Sequence, residues 1–158
     1  MNCAPGNETS MGAPQTATVV LVGFTEQDRR FLEHLFDGGE CPLASNWGWA
    51  IQLKASIEAT LVALRHDPIP VVLCDRDSAA CAWKELLAQF SHFSQPPCLI
   101  VTSRLADDCL WAEALNLGAY DVLARPFEPA EVIRSVSLAR LHWESRRVST
   151  PITARAVA

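Results

Sequence analysis

Apolar residues in this chain gather in short unbroken runs, separated by stretches in which they recur at helical spacing. Thr18-Val19-Val20-Leu21-Val22 is the first run, rich in β-branched residues and stopped by Gly23. Trp47 to Leu53 is a more mixed strand candidate; Val71-Val72-Leu73-Cys74, Cys98-Leu99-Ile100-Val101 and Tyr120 to Ala124 complete the set. Continuous apolarity predicts strands covered on both faces, as in a parallel sheet, because a half-exposed strand alternates instead.

The intervening stretches predict helices. Thr25 and Asp28 supply an N-cap with an acidic first turn, and Leu32, Leu35 and Phe36 follow until Gly38-Gly39. Ser56 caps a second helix with Ile57, Leu61 and Leu64 along one side, closed by Pro68. Trp83, Leu86, Leu87 and Phe90 mark a third, which ends before Pro96-Pro97. Leu110, Trp111, Ala114 and Leu117 predict the core side of a fourth, stopped by Gly118. Glu128-Pro129 opens a fifth, with Val132, Val136, Ala139 and Trp143 facing the core and Arg146-Arg147 near its negative end. Strands alternating with amphipathic helices predict an α/β fold: a doubly wound five-stranded parallel sheet with five helices. Sites in such sheets form beyond the carboxyl ends of the strands. The residues there are Gly23, Phe24, Thr25, Asp75, Arg76, Thr102, Ser103 and Arg125.

The organisation is therefore a leader over residues 1–16, one domain over 17–147 and a tail over 148–158, with a loop from Glu40 to Asn46. At 158 residues the chain suits one domain, and 49% hydrophobic with 20% charged residues excludes a disordered protein. A net charge of −5 offers no basic face for nucleic acid, and a helix terminus accounts for Arg140, Arg146 and Arg147. No apolar run approaches the roughly 18 residues that span a bilayer, and no cationic segment precedes an apolar one at the N-terminus, so a cytoplasmic location is expected. Six cysteines include no C-x-x-C pair, and Cys74 and Cys98 fall inside strands, where cysteine acts as a small buried hydrophobe. Metal and disulfide readings are set aside on that ground. The turn after the first strand lacks a glycine-rich phosphate loop and no nucleophile–base pair stands out, which leaves a small enzyme or nucleotide-binding protein as the weakest reading.

From about Thr18 to Arg140 the chain resembles the receiver domain of two-component response regulators. Asp75, after Val71-Val72-Leu73-Cys74, stands where that family carries its phosphoacceptor. Thr102, after Leu99-Ile100-Val101, matches the hydroxyl residue of the fourth strand. Gly118-Ala119-Tyr120-Asp121-Val122-Leu123-Ala124-Arg125-Pro126-Phe127 resembles the family's Gly-Ala to Lys-Pro-Phe stretch, with arginine replacing lysine. The resemblance implies a flavodoxin-like sheet of order 2-1-3-4-5 and a cis Arg125-Pro126 bond.

The departures are chemical. Where the family has two acidic residues that help hold magnesium, this chain has Gly23 and Phe24, neither able to ligate a hard cation through its side chain. The aromatic switch residue is Val122, and the usual proline four residues after the phosphoacceptor is Ala79. Phosphoryl transfer to a carboxylate depends on positioning and charge neutralisation, so the loss of both acidic groups should impair it. Glu26 reads as a solvated residue and Asp28 as a first-turn helix residue, leaving Asp75 as the one obvious ligand; no cofactor is expected, with magnesium disfavoured. Arg125 is expected to grip Asp75 with its planar fork and stand in for the ion.

The expectation from these readings is an atypical, stand-alone receiver that acts by protein–protein interaction. The alternative is a working phosphoacceptor modified on Asp75 by a histidine kinase. The expected partner is a signalling protein such as that kinase, or a second copy, with neither nucleic acid nor membrane involved. The resemblance points to the face of the fourth helix, fifth strand and fifth helix, with Asp107, Asp108, Glu113, Asn116, Tyr120, Glu131, Arg134 and Ser135.

Overall fold

The computed structural model describes residues 15–38 and 47–149. Its strands are β1 (Gln15–Val22), β2 (Trp47–Lys54), β3 (Val71–Asp75), β4 (Cys98–Ser103) and β5 (Asp121–Ala124). The helices are α1 (Glu26–Asp37), α2 (Ile57–His66), α3 (Trp83–Phe90), α4 (Asp108–Leu117) and α5 (Pro129–Ser149). All strand pairs are parallel, in the order β2-β1-β3-β4-β5, as expected.

Alternate residues of each strand feed two cores. Val20, Val22, Val72, Cys74, Leu99, Val101 and Val122 meet Leu86, Phe90, Leu110 and Ala114, with Ile57, Leu61 and Leu64 packed against them, so α2, α3 and α4 cover this face. Val19, Leu21, Val71, Leu73, Ile100 and Leu123 meet Leu32, Val132, Val136, Ala139 and Trp143 from α1 and α5. Burial on both sides explains the unbroken apolarity of β3 and β4, in which every residue is buried.

Local signals set the ends of the helices. Thr25 and Asp28 form a reciprocal capping box on α1, Ser56 accepts the Ala59 N–H on α2, and Asp107 accepts that of Leu110 on α4. Gly118 ends α4 at φ 105°, a left-handed conformation that suits glycine.

Several expectations need correction. β1 begins at Gln15, inside the presumed leader, because its pairing with β2 runs back to Gln15 opposite Trp47. α5 continues to Ser149 rather than stopping by residue 147, and β5 starts after Tyr120. Residues 1–14 of the leader, the loop from Glu40 to Asn46 and residues 150–158 of the tail lie outside the described residues. Trp111 and Leu117 are 49% and 52% exposed, so the buried side of α4 consists of Leu110 and Ala114. Trp111 follows Leu110 by one residue, a rotation of about 100° that carries it off the core side. Arg140 is no solvated terminal cation: it is buried, its guanidinium lies 5.0 Å from the Trp49 ring, and its Nε–H donates to Glu144. Cys74 is indeed buried, but it is bonded to Cys81 in a disulfide, which the sequence reading had set aside.

Leu110→Ala should therefore cost about 2–5 kcal/mol of unfolding free energy, while Leu117→Ala should change it by less than about 0.5 kcal/mol, as measured by urea denaturation.

Candidate functional site at the carboxyl ends of the strands

Asp75 ends β3 beside Thr102 of β4, its register partner, and Arg125 immediately follows β5. The chain direction of a parallel sheet thus gathers residues separated by long stretches of sequence. One guanidinium joins two carboxylates: Arg125 Nη1 donates to Asp75 Oδ2, and Nη2 donates to Asp28 Oδ1 at 2.7 Å. The Asp75 side chain is 7% exposed and those of Arg125 and Asp28 are each 19% exposed, so the bridge is shielded from water far better than a surface ion pair.

The remaining carboxylate oxygens are also engaged. Asp75 Oδ1 accepts the Asp77 N–H at 3.0 Å. Asp28 Oδ2 accepts the N–H and the hydroxyl of Thr25, both at 2.9 Å. Phe24 and Phe127 flank the cation, with ring centres 5.4 and 5.2 Å from the guanidinium carbon. Phe24 is buried, so it serves the α1–α5 core as well as the site. The Arg125-Pro126 bond is cis.

Gly23 has φ 81°, and a Cβ there would stand 2.8 Å from the Ser78 Cβ and 3.3 Å from the Cys81 Cβ. A side chain at this position, acidic or otherwise, would be strained and would press on the loop after β3. The two carboxylates converge on a guanidinium, and a cation between them would have to displace it. Among the described residues, no group of three or more His, Cys, Asp and Glu side chains is placed to hold a metal.

Thr102 is wholly buried, and its Oγ1 has no hydrogen-bond partner among the described residues. Ser103 instead donates to Asp77 Oδ1 at 3.1 Å, and Asp77 Oδ2 accepts the Arg104 N–H at 2.8 Å. The Arg104 amide, together with the Ser103 hydroxyl, holds the Asp77 carboxyl below its ordinary range despite some opposing desolvation. Asp77 thereby ties the loop after β3 to the loop after β4. Val122 is buried in the α2–α3–α4 core, against the sheet.

The face of α4, β5 and α5 is less uniform than the sequence implied. Asp108, Asn116 and Arg134 are exposed, and Glu131 is half-buried. Asp107 caps α4. Glu113 pairs with Lys84 on the neighbouring α3, so it belongs to the other side of α4. Ser135 is buried and donates to Asp121 at 2.6 Å, which removes it from the face. Tyr120 is half-buried beside His142, their ring centres 5.5 Å apart. Leu138 and Leu141 of α5, which the sequence pattern does not single out, are exposed like Trp111.

Asp28 is the main site residue that the sequence reading missed, since its capping role was taken as sufficient. Its spacing from Thr25 reveals only the cap. A separate cavity of about 260 Å³, lined by Leu64 to Ile69, Phe93 to Gln95, Pro97 and Trp143, lies toward the amino ends of β3 and β4, away from Asp75.

No protein-family model matches the chain, and no curated protein sequence matches it. Solved structures do. The signal receiver domain of an HD domain-containing protein from Pseudomonas fluorescens Pf-5 superposes with a TM-score of 0.67 at 19% identity, covering 90% of this chain and 98% of that one. The receiver domain of the Francisella response regulator 1452 gives 0.65 at 17% identity, covering 80% and 98%. A response regulator from Thermotoga maritima gives 0.64 at 16% identity, covering 80% and 99%.

Two outcomes test this geometry. In a double-mutant cycle of Asp75→Asn and Arg125→Met, urea unfolding should give a coupling free energy of at least about 1 kcal/mol, as expected for a shielded pair. Because the folded Asp77 carboxyl is depressed, its contribution to stability is complete above the ordinary pKa of about 3.9 and fades as pH falls through its lower folded value. The stability gap between wild type and Asp77→Ala, measured by urea unfolding at successive pH values, should narrow accordingly on acidification. The strand order, the parallel pairing and these structural neighbours together establish the fold of a response-regulator receiver domain.

Proposed function

We propose that this protein is an atypical receiver that signals by binding another protein, rather than an enzyme, and that its magnesium-dependent phosphorylation is impaired. The observation that carries this reading is the Arg125 bridge between Asp75 and Asp28. A guanidinium at this position offsets one of the two carboxylate charges, where a divalent ion would offset both, and it offers no coordination site for an incoming phosphoryl group. It also donates to the Asp75 oxygen that the Asp77 amide does not engage, so each oxygen of the carboxylate is held by a hydrogen-bond donor.

With Gly23 and Phe24 at the acidic positions, and Val122 at the aromatic switch position, both the metal and the rotating side chain of the usual cycle lack their residues. Output then falls to surfaces. The α4–β5–α5 face offers Trp111, Leu138 and Leu141 among Asp108, Glu131 and Arg134, a combination of apolar contact with charged surroundings that suits a specific protein interface or a second copy of this chain.

One observation favours the working phosphoacceptor instead. The unpartnered Thr102 hydroxyl lies next to Asp75 in register, where it could donate to a phosphoryl oxygen. The two readings separate on one experiment. Wild-type protein and Asp75→Asn are incubated with acetyl phosphate over a range of magnesium concentrations, and intact mass is recorded. The expected result is no magnesium-dependent gain of an acid-labile phosphoryl group in wild type. A gain that grows with magnesium and vanishes in Asp75→Asn would replace the binding-module reading with the phosphoacceptor one.

A further inference from the structure

The loop after β3 carries a feature that the receiver resemblance does not require. Cys74, the penultimate residue of β3, is bonded to Cys81, seven positions later, with their Cα atoms 6.2 Å apart. The ring so closed contains Asp75 and Asp77. It therefore includes the carboxylate held by Arg125, the amide that donates to that carboxylate, and the side chain tied to Ser103 and Arg104. The ring also lies beside the turn after β1, where a Cβ at Gly23 would meet both Ser78 and Cys81. Cys81 is 5% exposed and Cys74 is fully buried.

We infer that Cys74 and Cys81 form a thiol–disulfide modification site whose oxidation fixes the loop bearing Asp75 and Asp77, and whose reduction loosens it. The co-reactant is a low-molecular-weight disulfide. A Cys81 thiolate, the more accessible of the two when the loop opens, attacks one sulfur of that disulfide and expels one thiol. The Cys74 thiolate then attacks the Cys81 sulfur of the mixed disulfide and expels the second thiol. The two cysteines together lose two protons and two electrons, and the small disulfide takes them up as two thiols.

Short rings restrict the open chain, so reduction restores conformational freedom to residues 75–80 and weakens the hydrogen bonds that they make. The other cysteines in the described part serve as internal controls. Cys98 is buried with its thiol pushed up to about 11, chiefly by desolvation, and should resist exchange. Cys109 is exposed and has no cysteine partner among the described residues, so its alkylation reports thiol exchange outside the Cys74–Cys81 ring.

The inference stands on the cysteine pair, apart from the phosphorylation reading, and its test uses no phosphodonor. The full chain is equilibrated in glutathione buffers of graded oxidised-to-reduced ratio. Free thiols are then alkylated and the peptides mapped by mass spectrometry. Alkylation of Cys74 and Cys81 should fall together as oxidation increases, with a Cys74–Cys81 cross-linked peptide and the loss of two hydrogens, while Cys98 stays unlinked. Amide exchange at Asp77 and Arg104 should quicken on reduction, on the order of tenfold, and slow again on reoxidation. Cys81→Ser should exchange at the reduced rate in either buffer. Alkylation of both cysteines at every ratio, or a bridge that forms and breaks while exchange at Asp77 and Arg104 stays constant in wild type, would overturn the inference.

Discussion

A guanidinium held between two carboxylates is the interaction on which the candidate site depends. Arg125 follows β5, Asp75 ends β3, and Asp28 lies in the first turn of α1, so a single planar cation ties three separate elements at one end of the sheet. The pair is sheltered by Phe24 and Phe127, whose rings exclude water and offer the cation their electron-rich faces. A lysine at the same position could contribute charge but could not span two carboxylates with a rigid fork. The geometry is thus specific to the residue that departs from the receiver pattern.

The glycine at position 23 belongs to the same arrangement. Its positive φ and its approach to Ser78 allow the loop after β3 to settle onto the turn after β1. That settling positions the Asp77 amide on Asp75 and the Asp77 carboxylate on Ser103 and Arg104. The absence of a side chain at 23 and the seating of the loop are therefore linked by the same close contact. Phe24 adds to it by placing apolar surface beside the bridge.

The fold was legible because burial on both faces leaves an unmistakable trace in sequence. Val71 to Cys74 and Cys98 to Val101 could hardly be anything but central strands, and Thr25, Ser56 and Gly118 mark helix ends through local hydrogen bonding and backbone geometry. Strand edges were less legible, since the start of β1 at Gln15 is set by pairing with β2, a contact between distant segments. Trp111 misled because an apolar side chain one residue from a core position differs little from core in a short helix. Arg140 misled for the opposite reason: its charge suggested solvent, while Trp49, Gly48 and Glu144 supply stacking and acceptors that no local pattern announces. Within the site, Asp75 and Arg125 could be paired through the receiver resemblance. Asp28 could not, because one of its oxygens satisfies a familiar local motif and the other reaches across the fold.

The cysteine pair shows the same limit in sharper form. A separation of seven residues matches no common metal or redox spacing, and Cys74 taken alone is a satisfactory core residue. The turn between Asp75 and Cys81 reverses the chain and brings the second cysteine back under the first, and that reversal depends on Gly23 leaving room. The bridge and the Arg125 clamp consequently act on the same few residues. One holds Asp75 through its side chain, and the other holds it through the backbone ring in which it sits. A change in either constraint must be felt at the Asp77 amide, where the loop's conformation and the carboxylate's hydrogen bonding meet. On the proposed reading, that amide is the point at which thiol chemistry and the state of Asp75 become coupled.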